Sequence, residues 1–211
     1  MKNEILKNTI DKVDNIFEIN NLENLQKNNF CLEMTNFYKN PDAVCELFNK
    51  QNPFVHKWYE ENSLNTVDFF DCRHDFISES FKKTEEKIYK FLNRDLTNVR
   101  GRVLTNFIKI LKSNHEDNYW WPHVDSTLYN CIIYLNKEPC DGTNIYSQIK
   151  EKEGTEHSNP WQSKNKYILL QNIKAEYNKL VILRSNLYHG MAYNSHKFNN
   201  TFRKNQVIFV K

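Results

Sequence analysis

Glycine and proline are scarce, four and five in a chain of 211 residues. Collagen-like, Gly/Ser-linker and low-complexity architectures all need them in quantity and are excluded. Long apolar runs are missing as well. Stretches such as Cys131-Ile-Ile-Tyr-Leu135 are the longest, far short of the roughly 20 residues of a membrane-spanning helix. The opening, Met1-Lys-Asn-Glu-Ile-Leu-Lys7, has no signal-type apolar segment. Secretion and membrane insertion are therefore not expected, and a cytoplasmic location is. Strong charge of one sign is also lacking, with a net charge of +3 and a pI near 8.5. The basic candidates are thin: Lys164, Lys166 and Lys174 in one stretch, and Lys82-Lys83 close to Glu85-Glu86. No concentrated stripe points to a nucleic-acid partner. The five cysteines (Cys31, Cys45, Cys72, Cys131, Cys140) form an odd set with no Cys-x-x-Cys pair. They read as reduced, mostly buried thiols, not as a disulfide frame or zinc cage.

What is present is material for a core. The chain is 39% hydrophobic and 14% aromatic, and its 25.4 kDa suits a single globular domain. Apolar residues at Ile5, Ile10, Val13 and Ile16-Phe17 fall near a 3.6-residue period and predict a first helix. Asn40-Pro41-Asp42 predicts the start of a second, with Val44, Leu47 and Phe48 as its stripe. A third is expected from Ile77 to Leu92, Phe30–Met34 suits a short strand, and 52–76 reads as loop. From Arg100 onward the texture is β: 102–111, 129–135, 144–146, 179–183 and 206–210 are strand-like, separated by turn signals such as Asp141-Gly142 and Ser185-Asn186. The expectation is an α+β chain. A mainly helical N-terminal extension (1–99) would pack on a jelly-roll core (100–211) in a single domain. The polar stretch 148–166, between two strands, has the length of a flap.

Two His-x-Asp pairs occur, His115-Glu-Asp117 and His123-Val-Asp125. The first sits in a polar turn and reads as solvated. The second follows Tyr119-Trp-Trp-Pro122 and precedes an apolar strand. On extended backbone, alternate residues share a face, so His123 and Asp125 can address one point. A lone pair of this kind is more often structural. Farther on, Leu180-Val-Ile-Leu183 leads into Tyr188-His189, and Arg203 opens the last strand. A His-x-Asp pair with a distant His matches the 2-His-1-carboxylate triad of non-haem Fe(II) sites. A following cation could hold the far carboxylate of an acidic co-substrate.

Over about residues 100–211 these pieces, in this order, resemble the 2-oxoglutarate/Fe(II)-dependent oxygenase superfamily, nearest its prolyl-4-hydroxylase-like branch. The resemblance is carried by Val103-Leu-Thr-Asn-Phe107, Pro122-His-Val-Asp-Ser126, Ile132-Ile-Tyr-Leu-Asn136, Asp141-Gly-Thr143, Leu180-Val-Ile-Leu183 with Tyr188-His189, and Arg203-x-x-Gln206. Phe37-Tyr-Lys-Asn-Pro-Asp42 is similar to the opening of a little-characterised group of stand-alone members. Two positions depart from the pattern: Asp141 replaces a glycine, and Arg184 stands where proline is common.

The resemblance implies a double-stranded β-helix and a hydroxylase that turns 2-oxoglutarate and O2 into succinate and CO2. His123, Asp125 and His189 would be the catalytic iron ligands, and Arg203 the partner of the C5 carboxylate of 2-oxoglutarate. Asn106, Tyr129 and Tyr134 are further candidates for the co-substrate. Tyr119, Trp121 and the weaker Arg184 are candidates for a small-molecule or short-peptide substrate. Packing or surface roles compete for each. Lys204, the rival cation, should face the other side of its strand. His196 lies in a polar run, and His56, His74 and His157 have no motif around them. Two other readings stay open: a non-catalytic jelly-roll module binding sugar or peptide, and a zinc hydrolase using the same three ligands.

Overall fold

The computed structural model describes residues 16–49, 54–55, 67–73, 78–94, 103–110, 117–138, 140–149, 161–192 and 203–211. The N-terminal part contributes strands β1 (Gln26–Lys27), β2 (Cys31–Met34), β3 (Phe54–Val55) and β4 (Val67–Arg73), with helices α1 (Pro41–Asn49) and α2 (Ser78–Phe91). There follow β5 (Val103–Ile110), β6 (Asn118–Trp120), β7 (Tyr129–Tyr134), β8 (Cys140–Gln148) and β9 (Trp161–Ser163). The last four strands are β10 (Tyr167–Ala175), β11 (Lys179–Arg184), β12 (Tyr188–Met191) and β13 (Arg203–Val210). No helix among the described residues is long and apolar enough to cross a membrane.

The described residues are mostly β with few helices, and the N-terminal part, expected to be mainly helical, supplies four strands as well as its two helices. An eight-stranded sheet runs β1-β2-β11-β7-β13-β5-β4-β3, and a smaller one runs β10-β8-β12. Strands from both ends of the chain thus share the large sheet, giving a jelly-roll-like arrangement. The stretch expected to be loop contains β4, paired along seven residues with β5. Its aromatic and branched residues suit a strand, but only a partner distant in sequence fixes them as one. The first predicted helix lies almost wholly outside the described residues. Of the flap, 150–160 lie outside them, while its flanks end β8 and form β9 and a short 3-10 turn (Lys164–Lys166).

Period-two alternation explains how the large sheet divides the interior. On β7, Cys131 and Ile133 join one core cluster, while Ile132 and Tyr134 join another. On β11 the split is Leu180 and Ile182 against Val181 and Leu183, and on β13 Ile208 and Val210 against Val207. The first cluster includes Val44 of α1 and Ile88 and Tyr89 of α2. The second includes Ile145, Ile173 and Ala175 of the small sheet, so it fills the space between the two sheets. Each fully buried aliphatic side chain contributes roughly 1.5–3 kcal/mol.

Phe37 and Tyr38 are pinned to the β10–β11 turn. Asn178, left-handed at φ 60°, accepts from the Tyr38 N–H and donates to its carbonyl, both at 2.8 Å. The Tyr38 hydroxyl donates to Gln206 on β13.

Candidate metal centre

His123 precedes β7 and pairs with His189 of β12 as an isolated antiparallel bridge. Asp125 is tied by its N–H to the Ser185 carbonyl at 2.9 Å. Ligand atoms of His123, Asp125 and His189 consequently lie within 4.8 Å of one another. Asp125 Oδ2 is 3.2 Å from His189 Nε2 and 3.8 Å from His123 Nε2.

Both imidazoles are oriented through Nδ1. That of His123 donates to the Trp121 carbonyl at 2.7 Å, that of His189 to the Leu187 carbonyl at 2.8 Å. A carbonyl only accepts, so each Nδ1 carries a proton, and Nε2 is the ring nitrogen that each histidine turns toward Asp125. Metal-binding histidines are commonly oriented in this way. Trp121 sits at φ 43°, left-handed backbone just before Pro122, where extended backbone is the norm. Such strain costs about 1–3 kcal/mol.

Asn130, fully buried on β7, joins the ligands. Its Oδ1 accepts from Ser185 Oγ at 2.8 Å and Thr127 Oγ1 at 3.0 Å. That fixes the amide so that Nδ2 points at Asp125 Oδ2 at 2.5 Å and His189 Nε2 at 3.1 Å. Burial alone would raise the Asp125 carboxyl, but contact with His189, the nearby His123 and the Asn130 amide hold it below its ordinary value. A carboxylate with two imidazoles, one rim partly open to solvent, is a donor set suited to a divalent transition metal.

Arg203 lies only 4% exposed at the start of β13. It shares the parity of Val207 and so the face between the sheets. Its guanidinium donates to Asn205 Oδ1 and, at 3.1 Å, to the Gly142 carbonyl, and lies 5.7 Å from the Tyr134 ring centre. Tyr134 is hydrogen-bonded to Thr143 Oγ1 at 2.8 Å, and burial pushes its phenol up to about 12 despite the nearby Arg203. Gly142 has no freedom to be anything else, because a Cβ there would fall 1.9 Å from the Ile173 carbonyl oxygen.

The remaining sequence candidates are spread out. Asn106 on β5 is registered opposite Asn205. Tyr129 has the parity of Cys131 and packs against the helix-side cluster; its neighbour Asn130 is the residue that reaches the centre. Asn130 carries no motif, and only counting strand parity from His-x-Asp could have singled it out. Trp121 lies beside His123, with ring centres 6.0 Å apart. Tyr119 stacks instead on Tyr146, at 4.6 Å. Arg184 is exposed at the end of β11. Lys204 has the opposite parity to Arg203, and Asp117 is an exposed turn residue. His56, His74, His115, His157 and His196 lie outside the described residues.

No protein-family model matches the chain, and no curated protein matches it. Among solved structures it is similar to an oxidoreductase of the 2OG-Fe(II) oxygenase family from Burkholderia pseudomallei. That likeness has 10% identity and a TM-score of 0.43, over 80% of this chain and 76% of the other.

Proposed function

We propose that the chain is an Fe(II)- and 2-oxoglutarate-dependent oxygenase with a double-stranded β-helix core and its N-terminal segments integrated into one domain. It would hydroxylate a small molecule or short peptide and release succinate and CO2. The supporting observation is the convergence of His123, His189 and the Asp125 carboxylate on one point, with the buried Arg203 facing the same space between the sheets.

His123, Asp125 and His189 would hold Fe(II), which when bound supplies the redox chemistry that couples 2-oxoglutarate decarboxylation and O2 reduction to substrate oxidation. The chain's own groups orient and exclude. Trp121 and Leu187 carbonyls orient the imidazoles, and Asn130 holds the Asp125 carboxylate. Ile145, paired with His189, lies three residues from Gly142, the acceptor of Arg203. That is about 10 Å along β8, a distance suited to a five-carbon dicarboxylate whose far end meets the guanidinium. Tyr134 and Thr143 offer neutral hydrogen bonds there, and Ile145, Val181 and Leu183 keep water out.

Anaerobic titration with Fe(II) and 2-oxoglutarate tests the reading. A weak visible charge-transfer band should develop, and His123→Ala, Asp125→Ala and His189→Ala should each abolish it while remaining folded. Absence of the band in the folded parent chain would overturn the oxygenase reading and favour the binding module or the zinc hydrolase.

A further inference from the structure

Ile145 on β8 and Ile173 on β10 point between the sheets. Their neighbours Asn144, Tyr146, Asn172 and Lys174 therefore face the back of the small sheet, away from the side that carries His189. The ribbon of β6 and β9 lies over this back. It comes so close that a Cβ on Gly190 would fall 2.5 Å from the Trp120 carbonyl oxygen. Trp120 and Trp161 stack edge to face across the ribbon at 4.9 Å. Between ribbon and sheet is a cleft of about 370 Å³, within the size range of small-molecule sites.

The cleft's chemistry is one-sided. Two lysines, Lys164 and Lys174, line it, and none of its lining residues is acidic. Inside it a chain of hydrogen bonds runs in one direction. Asn172 Nδ2 donates to Asn144 Oδ1 at 2.7 Å, and Asn144 Nδ2 donates to the Tyr146 hydroxyl at 3.0 Å. In that direction Tyr146, 2% exposed, accepts the bond, and its own proton has no acceptor among the described residues. Both amides can also turn and run the chain the other way, so the Tyr146 proton is free to be given to Asn144 or to an acceptor in the cleft. Here it borders a cavity flanked by cations, so an acceptor on a bound molecule would satisfy it. Tyr119, Tyr146, Trp120 and Leu169 supply flat and apolar walls.

We propose that this cleft is a second binding site, distinct from the metal centre, for a compact organic anion carrying a flat ring. Its phosphate or carboxylate accepts from Tyr146 and lies near Lys164 and Lys174, and its ring lies along Tyr119. The site does not depend on the oxygenase reading.

Isothermal titration of the full chain with phenyl phosphate, benzoate and benzyl alcohol tests it, the two anions separating phosphate from carboxylate recognition. At least one anion should bind saturably, and the neutral alcohol should not. Lys174→Gln, at an exposed position, and Tyr146→Phe, which keeps the ring, should each weaken binding about tenfold. Asp125→Ala should leave it unchanged. Equal binding of benzyl alcohol, failure of both anions, or binding lost in Asp125→Ala but intact in Lys174→Gln would overturn the proposal.

Discussion

His123 and His189 are hydrogen-bonded to each other through their main chains in both directions, at 2.8 and 2.9 Å. Their rings stand 4.5 Å apart. The spacing of the two imidazoles is therefore set by a backbone ladder and not by side-chain packing alone. Asp125 is tied to the Ser185 carbonyl by a single main-chain bond, so the three groups are brought together by backbone pairing, a preorganisation that would favour tight and selective metal binding.

Asn130 should matter to metal affinity although its pattern marks it as an ordinary strand residue. Asn130→Ala removes the donor to Asp125 and leaves the Ser185 and Thr127 hydroxyls without their acceptor. The affinity for Fe(II), or for Co(II) as its spectroscopic substitute, is expected to fall about 10–100-fold with an unchanged circular dichroism spectrum. Affinity within twofold of the parent would show that the backbone ladder alone suffices.

Arg203 separates the co-substrate from the metal. Arg203→Ala should keep Fe(II) yet lose about 2–5 kcal/mol of 2-oxoglutarate binding. Arg203→Lys should recover only part, since a point charge cannot reproduce a two-pronged contact. Equilibrium dialysis of both ligands against the two variants decides it, and unchanged 2-oxoglutarate affinity in Arg203→Ala would move the anchor elsewhere.

Gly190→Ala should destabilise the fold by about 1–3 kcal/mol. The added Cβ meets the carbonyl oxygens of Trp120 and Trp121, which are backbone atoms and cannot swing aside. Because Trp121 also orients His123, metal affinity should fall in parallel. Urea unfolding and metal titration of one preparation measure both, and a silent substitution would mean the ribbon can lift off the sheet.

Glu85 on α2 offers a test by pH. Burial, with Glu86 near, pushes its carboxyl up from 4.5 to about 7, and its Oε1 has no hydrogen-bond partner among the described residues. Between those two values the unfolded chain gives up a proton that the folded chain keeps, so this group lowers stability as pH rises through that window. Glu85→Gln should therefore stabilise the protein at pH 8, by up to about 3 kcal/mol, and much less at pH 4. Denaturant midpoints at the two values check the sign.

The strands of the C-terminal half were legible because Ile132, Val181 and Val207 sit in short branched runs that suit few other structures. The grouping of His123, Asp125 and His189 was legible too, since a His-x-Asp pair and a distant histidine after a strand form a pattern that needs no tertiary knowledge. What escaped were features created by pairing. Val67–Arg73 becomes a strand only beside β5, and Tyr167–Ala175 only beside β8, its bulge made possible by Gly142. Asn130 rather than Tyr129 faces the centre for a related reason: register fixes parity, and a one-residue error reverses every side chain. Tyr119 was placed near the chemistry by its proximity in sequence to His123. The turn at Trp121 instead carries it behind the small sheet.

The large sheet also acts as a partition. Substitutions among Cys131, Ile133, Leu180 and Ile208 are felt on the helix side, while those among Ile132, Tyr134, Val181 and Val207 are felt where Arg203 lies. Thermal robustness and ligand preference can therefore drift separately along the same three strands, one through the residues on one face and the other through those that alternate with them.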